Sequence, residues 1–322
     1  MESPTTTPVT TNKPTSRQMP NFLIVGAAKA GTTALHAYIK QHPQVYVSHT
    51  KETNFFALED QPLNFTGPGD DEAVNDFSVT SLEDYHAQYD GVTDEIALGE
   101  ASPLYLYSER AVERIAHYVP DAKIIVMLRN PAERAYASFL HLIRDNREPL
   151  RDFAQALREE DARVAAGYEH IWHYRRLGFY YEQLSRYYAH FPAENIKVYL
   201  QEDLKHDSDA LFRDLFEFLG VDPDFKPDTS LKLNVSGVPK NQALHSFLAK
   251  PNWFKSTFKH LIPDAMRHKL VTNVRQNNLA KPPLDPQVKV ELTELYREDI
   301  LKLQDLIDRD LSAWLKTPQN VD

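Results

Sequence analysis

This chain of 322 residues reads as an α/β protein, a three-layer αβα arrangement around a mainly parallel sheet. Three observations predict it. Short apolar stretches alternate with helical ones. The stretch Lys123–Leu128, KIIVML, is apolar without alternation, as in strands covered on both faces. The first apolar run, Phe22–Val25, passes through a glycine-bounded turn into a helix N-terminus, an arrangement suited to anions at a sheet edge.

In order, residues 1–20 are Thr/Pro-rich and read as a disordered tail. Phe22–Val25 is the first strand, followed by a helix over Ala34–Lys40 that stops near Pro43, which forces His42 out of helical geometry. Val45–Val47 is a second short strand. Residues 58–80 are polar and turn-rich and read as a flap, since loops of that length are commonly functional. Ser81–Tyr89 is a short helix with Ser81 as cap. Ile96–Gly99 is a strand and Glu109–Tyr118 a helix. After the KIIVML strand, Pro131 opens a helix reaching about Arg144. Leu150–Glu160 and Gly178–His190 are helical, Ile196–Leu200 is a strand, and Asp209–Gly220 is a helix closed by glycine. Residues 221–285 are irregular, with a helical insert, and Pro286–Leu315 has apolar positions at helical spacing. The domain spans 21–316, with a short tail at 317–322.

Bulk properties narrow the function. The net charge of −10 argues against nucleic acid and, more weakly, against a long polyanionic acceptor. The absence of cysteine excludes disulfides and thiol chemistry. No stretch approaches the ~18 apolar residues of a membrane span, and the N-terminus lacks the apolar core of a secretory signal. A cytoplasmic protein is the expectation.

The sequence FLIVGAAKAGTTAL, Phe22–Leu35, sets the chemistry. Gly26 and Gly31 bound the turn, Lys29 lies inside it, and Thr32 and Thr33 open the helix. Backbone N–H groups and the helix dipole make this a P-loop-like anion site. It departs from G-x-x-x-x-G-K-[ST] because Thr32 stands where that motif has lysine. The K-x-G-T-T pattern instead resembles the 5′-phosphosulfate loop of sulfotransferases, which use 3′-phosphoadenosine 5′-phosphosulfate (PAPS) and release the 3′,5′-bisphosphate (PAP). The resemblance covers residues 20–316. It implies a P-loop-like fold, with Lys29, Ala30, Gly31, Thr32 and Thr33 on the donor's 5′ end, no metal, and a bacterial type of the heparan-sulfotransferase branch.

Arg129 ends the KIIVML strand, at the sheet edge where open parallel sheets place ligands. An arginine fork with a nearby hydroxyl suits a terminal phosphate. RNPAERAYASF resembles the family's R-[DN]-P-x-x-R-x-x-S segment, and the resemblance implies Arg129 and Ser138 as 3′-phosphate ligands. A basic residue at this strand end also disfavours a magnesium-dependent kinase, which needs a carboxylate there.

Transfer to a hydroxyl needs a base. Glu52, in KETNFF after the second strand, is placed near the first loop, and His49 is a rival in the same segment. K-E-x-x-F-F resembles the glycan branch, where the glutamate is the base. GEASPLYLY, from Gly99, resembles the acceptor-side segment, with Glu100 orienting the base, binding acceptor or serving structure. LGFYYEQL resembles the G-x-Y-x-x-Q-L helix and implies Tyr180 near the adenosine end. NVSGVPK places Lys240 at the 3′-phosphate loop, without the usual K-G-R-x-x-P pattern.

Residues 240–281 carry eight Lys and Arg against one Asp and suit an acidic carrier or an anionic surface. The acceptor is a hydroxyl on a carbohydrate, a lipid or a carrier-bound acyl group. The alternatives are a P-loop small-molecule kinase and a non-catalytic adenosine-bisphosphate binder.

Overall fold

The computed structural model describes residues 18–230, 237–240, 279–280 and 282–317. The N-terminal tail to residue 17, the end from 318 and, apart from Lys240 and 279–280, the basic segment 240–281 lie outside the described residues.

Five strands form a parallel sheet: β1 (Phe22–Gly26), β2 (Val45–Val47), β3 (Ala97–Ala101), β4 (Lys123–Leu128) and β5 (Ile196–Leu200), in spatial order β2-β3-β1-β4-β5. Phe22 pairs with Gly99 on one side and Lys123 on the other, and Ile124 pairs with Ile196. β1 is buried throughout, and β4 is buried from Ile124 onward. The unbroken apolar runs are thereby explained by helices on both faces. All five carboxyl ends lie at one edge, and the order reverses around β1, so the edge beside β1 and β4 is the switch point where ligands bind.

Most of the expected elements occur with shifted ends. The first helix runs Thr32–Ile39, earlier than expected, because left-handed Gly31 turns the chain straight into it. Ser81 caps Leu82–Ala87 by accepting from the Asp84 amide (3.1 Å). Asn130 caps Pro131–Arg144 by accepting from the amides of Ala132 and Glu133. The expected Leu150–Glu160 helix begins at Phe153, with Asp152 as cap, and ends at Arg158. The last long helix, Pro286–Ile307, stops at Asp308 in the left-handed region, and Ser312–Leu315 forms a separate 3-10 turn.

The expected flap at 58–80 contains one π turn, Asp71–Asn75. Its anchor is the fully buried Asp70. Asp70 accepts from the Gly67 and Glu169 amides (both 2.8 Å), from Trp172 Nε1 (3.0 Å) and from Arg147. A buried carboxylate with this full set of donors is a strong clamp.

Candidate functional site

Two glycines shape the turn after β1. A Cβ on Gly26 would come within 2.6 Å of Leu106 Cβ, so only glycine lets the chain pass there. Gly31 has φ +116° and Lys29 φ +66°, both left-handed. No side chain caps the helix that Gly31 opens, and its first turn holds no acid. Its leading N–H groups and positive dipole end face a cleft of about 570 Å³, lined here by Lys29, Gly31, Thr32 and Thr33. Ala30 is buried behind the turn and its carbonyl accepts from Gln201 Nε2 (3.3 Å).

Lys29 supplies the charge. Burial, with help from Arg144, pulls its ammonium from the usual lysine range down to about 8. Arg129, only 5 % exposed, enters the same cleft from the end of β4. Its Nη1 donates to the Lys29 carbonyl (3.4 Å) and its Nη2 to Glu133 (3.1 Å), while its buried Nε has no partner. An orphaned guanidinium N–H in a cleft calls for an anion.

Glu52 also lines the cleft, its side chain 46 % exposed and paired with Lys51. It has φ +66° and Asn54, two residues on, φ +56°. The cleft therefore unites Lys29, Gly31, Thr32, Thr33, Arg129 and Glu52.

His49, Tyr180, Lys240 and Ser138, singled out from sequence, are elsewhere, as are Ala30 behind the turn and Glu100. His49 is exposed, hydrogen-bonded to Tyr46 Oη (3.0 Å), and does not line the cleft. Tyr180 is fully buried beneath Arg129, donating to its carbonyl (3.0 Å). It supports the arginine rather than lining the cleft. Lys240 is exposed at the end of a two-stranded ribbon, Val238–Pro239 with Leu279–Ala280. Ser138 is fully buried and accepts from Arg134 Nη1 (3.2 Å).

The register explains Ser138. In R-[DN]-P-x-x-R-x-x-S the hydroxyl stands eight residues after the first arginine, and that position here is Ala137. Glu133, Ala137 and His141 share one helix face, because residues four apart are stacked. That face meets the site, since Glu133 holds Arg129 and His141 lines the cleft. Ser138 shares the Arg134 face, about 100° away.

His141, Arg147, Glu169 and His170 complete the cleft and were not found from sequence. Burial and Lys29 push His141 down to about 3. It is therefore neutral at pH 7, and its 3.3 Å contact with Asp145 is not an ion pair. Arg144 Nη2 donates to its Nδ1 (2.6 Å), which leaves the ring proton on Nε2. Burial raises Glu169 to about 7 against the pull of Arg147. Ala73, Val74 and Phe77 of the flap add an apolar wall. The helical phase of His141 relative to Arg129 was a usable signal. The Arg147 and Glu169 pairing joins distant segments and leaves no local trace.

Glu100, by contrast, is absent from the cleft wall. It is fully buried, accepts from Thr53, Tyr85, Ser102 and Tyr105, and is raised by that burial against those four bonds. Among the described residues no cluster of His, Asp and Glu is arranged to hold a metal, and no helix is long and apolar enough to cross a membrane.

Comparison with known proteins identifies the architecture. A sulfotransferase of Alicyclobacillus acidocaldarius superposes with a TM-score of 0.74 at 37 % identity, over 93 % of this chain and all of that one. The bifunctional heparan sulfate N-deacetylase/N-sulfotransferase 3 of Mus musculus is 26 % identical over 94 % of this chain and 32 % of its own length. The membrane-associated sulfotransferase kil1 of Dictyostelium discoideum is 27 % identical over 45 % of this chain and 29 % of its own. The chain thus spans about a third of the length of the curated relatives it matches. A family model described as the sulfotransferase family matches residues 20–226. With its parallel sheet, its glycine turn and that match, the chain belongs to the sulfotransferase family.

Proposed function

We propose that the chain moves a sulfuryl group from PAPS to a hydroxyl of a carbohydrate, a glycolipid or a carrier-bound hydroxyacyl group. One observation carries this reading. A single cleft is lined by an uncapped helix N-terminus, a lysine, an arginine with an unpaired buried N–H, and a carboxylate.

The donor supplies an activated sulfuryl group on a phosphate. Lys29 and the N–H groups at Thr32 and Thr33 hold that end and take up the charge left on the phosphate. Arg129, steadied by Tyr180 and Glu133, holds the 3′-phosphate. Glu52 takes the proton from the acceptor. Exposed His49, turned to Tyr46, is the weaker choice for that task. The apolar flap wall and His170 border the acceptor.

A second reading concerns the acceptor atom. The mouse relative is named an N-sulfotransferase, so a sugar amine is an alternative nucleophile, deprotonated by the same Glu52.

Calorimetry with PAP and with AMP tests the donor assignment. A 3′-phosphate met by charge-assisted bonds of ~1.5–3 kcal/mol gives PAP about tenfold or greater preference. Equal affinities would overturn the assignment. Labelled donor offered to fractionated cell extract, with mass spectrometry of the product, then identifies the acceptor and whether oxygen or nitrogen is modified.

A further inference from the structure

Behind Glu52 lies a buried group that the proposed chemistry does not use. Glu100 is fully buried on β3, and among the described residues no cation pairs with its carboxylate. Among the described residues its four donors are all hydroxyls. Tyr85 (2.7 Å) and Tyr105 (2.8 Å) bond Oε1, while Ser102 (2.8 Å) and Thr53 bond Oε2. A carboxylate in such a place is costly unless every lone pair is met.

Three of those hydroxyls also accept from the backbone of one short segment. Ser102 Oγ accepts from the Asn54 amide (3.1 Å), Thr53 Oγ1 from Phe55 (3.4 Å) and Tyr105 Oη from Phe56 (3.3 Å). Three consecutive N–H groups thus reach Glu100 through one hydroxyl each. An acceptor-only carboxylate fixes the direction of every hydroxyl proton, leaving each oxygen's lone pairs for the amides.

This segment begins next to Glu52. Residues 52 and 54 both sit in the left-handed region, which costs a non-glycine residue of order 1–3 kcal/mol and persists only where the surroundings enforce it. Thr53, between them, is fully buried and bonded to Glu100. Its carbonyl accepts from Val79 at the end of the flap (2.8 Å).

We infer that Glu100 is a positioning residue: acting through Thr53, Ser102 and Tyr105, its carboxylate holds the backbone of residues 52–54 in the conformation that presents Glu52 to the cleft. The inference rests on Glu52 as the base, and its test separates the two claims.

The measurements are sulfate release from labelled PAPS with water as acceptor, and amide hydrogen exchange across residues 52–56. Glu100→Gln replaces an acceptor oxygen by a donor and forces at least one hydroxyl to turn. It is expected to lower kcat about tenfold or more with the KM for PAPS within about twofold, and to speed exchange at residues 54–56. Thr53→Val, which keeps shape and loses the hydroxyl, is expected to do the same, and Thr53→Ser to restore both readouts. In Glu52→Gln the further change Glu100→Gln is expected to cost little more, because the two act in series.

If Glu52→Gln keeps full activity, the base assignment fails, and unchanged exchange at 54–56 in Glu100→Gln and Thr53→Val would independently remove the positioning role. If Glu52→Gln is inactive while Glu100→Gln and Thr53→Val match the parent, the base stands and the positioning role falls. Independent, multiplying losses at Glu52 and Glu100 would make Glu100 merely structural and overturn the inference. Should Glu100→Gln fail to fold, the Thr53→Val and Thr53→Ser pair decides alone.

Discussion

The two ends of the cleft assigned to the donor are built on different principles. The turn after β1 works through its backbone. Gly26 gives way to Leu106, Gly31 goes left-handed, and the N–H groups that follow are open whatever the neighbouring side chains are. The helix Pro131–Arg144 works through the direction of its side chains, and each residue turns that direction by about 100°. A pattern over the turn survives small misalignment. The same pattern over the helix, displaced by one residue, points about 100° away, into the protein. Ser138 shows the result: a hydroxyl in nearly the right place in sequence, bonded to Arg134 inside the protein.

Removing the turn's charge gives the largest expected effect. Lys29→Ala lowers kcat on the order of a hundredfold to a thousandfold, since a 4 Å ion pair is worth ~4 kcal/mol at an effective dielectric of 20 and lost transition-state donors cost similar factors. Turnover of labelled donor at the parent rate would show that the backbone N–H groups suffice and would break the contrast in the turn's favour.

The turn also has a pH signature. Lys29 is lowered to about 8 in the free protein, first by burial. Below that pH the lysine is charged in both folded and unfolded chains, and folding carries the full burial penalty. Between about 8 and 10.5 the unfolded chain binds more protons, so this group's contribution to stability rises with pH. Binding runs the other way. A bound phosphate favours the ammonium, so PAP affinity falls above about pH 8, by up to about tenfold per unit. Calorimetry in buffers of different ionisation heat should register proton uptake on binding near pH 8–9. A flat profile across that range would remove Lys29 from the ligand.

The helix end is tested next. Arg129→Lys keeps a charge but loses the fork that reaches the Lys29 carbonyl and Glu133 together. It should weaken PAP about tenfold and leave AMP within about threefold, because only the 3′-phosphate is assigned to it. Equal losses for both nucleotides would mean that Arg129 supports the turn instead.

What was legible follows the same division. Strand identity was legible because β1 and β4 are apolar on both faces, which needs no partner to recognise. The cap at Ser81 was legible because capping is local. The glycine-bounded turn was legible because its residues are consecutive. The part of the cleft lined by Arg147 and Glu169 was not. Arg147 meets Asp70 and Glu169 across 77 and 22 residues of chain, and neither end has a distinguishing neighbourhood. Tyr180 and Glu100 were legible as conspicuous residues, yet burial decides what they do. Each acts from behind, on Arg129 and on residues 52–54.

The smallest effect is the sharpest test of register. Ser138→Ala removes a hydroxyl that accepts from buried Arg134, whose Nε already lacks a partner. It should cost ~1–3 kcal/mol of stability and leave PAP affinity within about twofold once the folded fraction is matched. Ala137→Ser does the reverse. It places a hydroxyl on the helix face shared by Glu133 and His141 and should tighten PAP a few-fold without affecting AMP. If Ser138→Ala weakens PAP selectively while Ala137→Ser does nothing, the helix turns on binding. The distinction between a site held in backbone and a site held in helical phase would then apply only to the ligand-free protein.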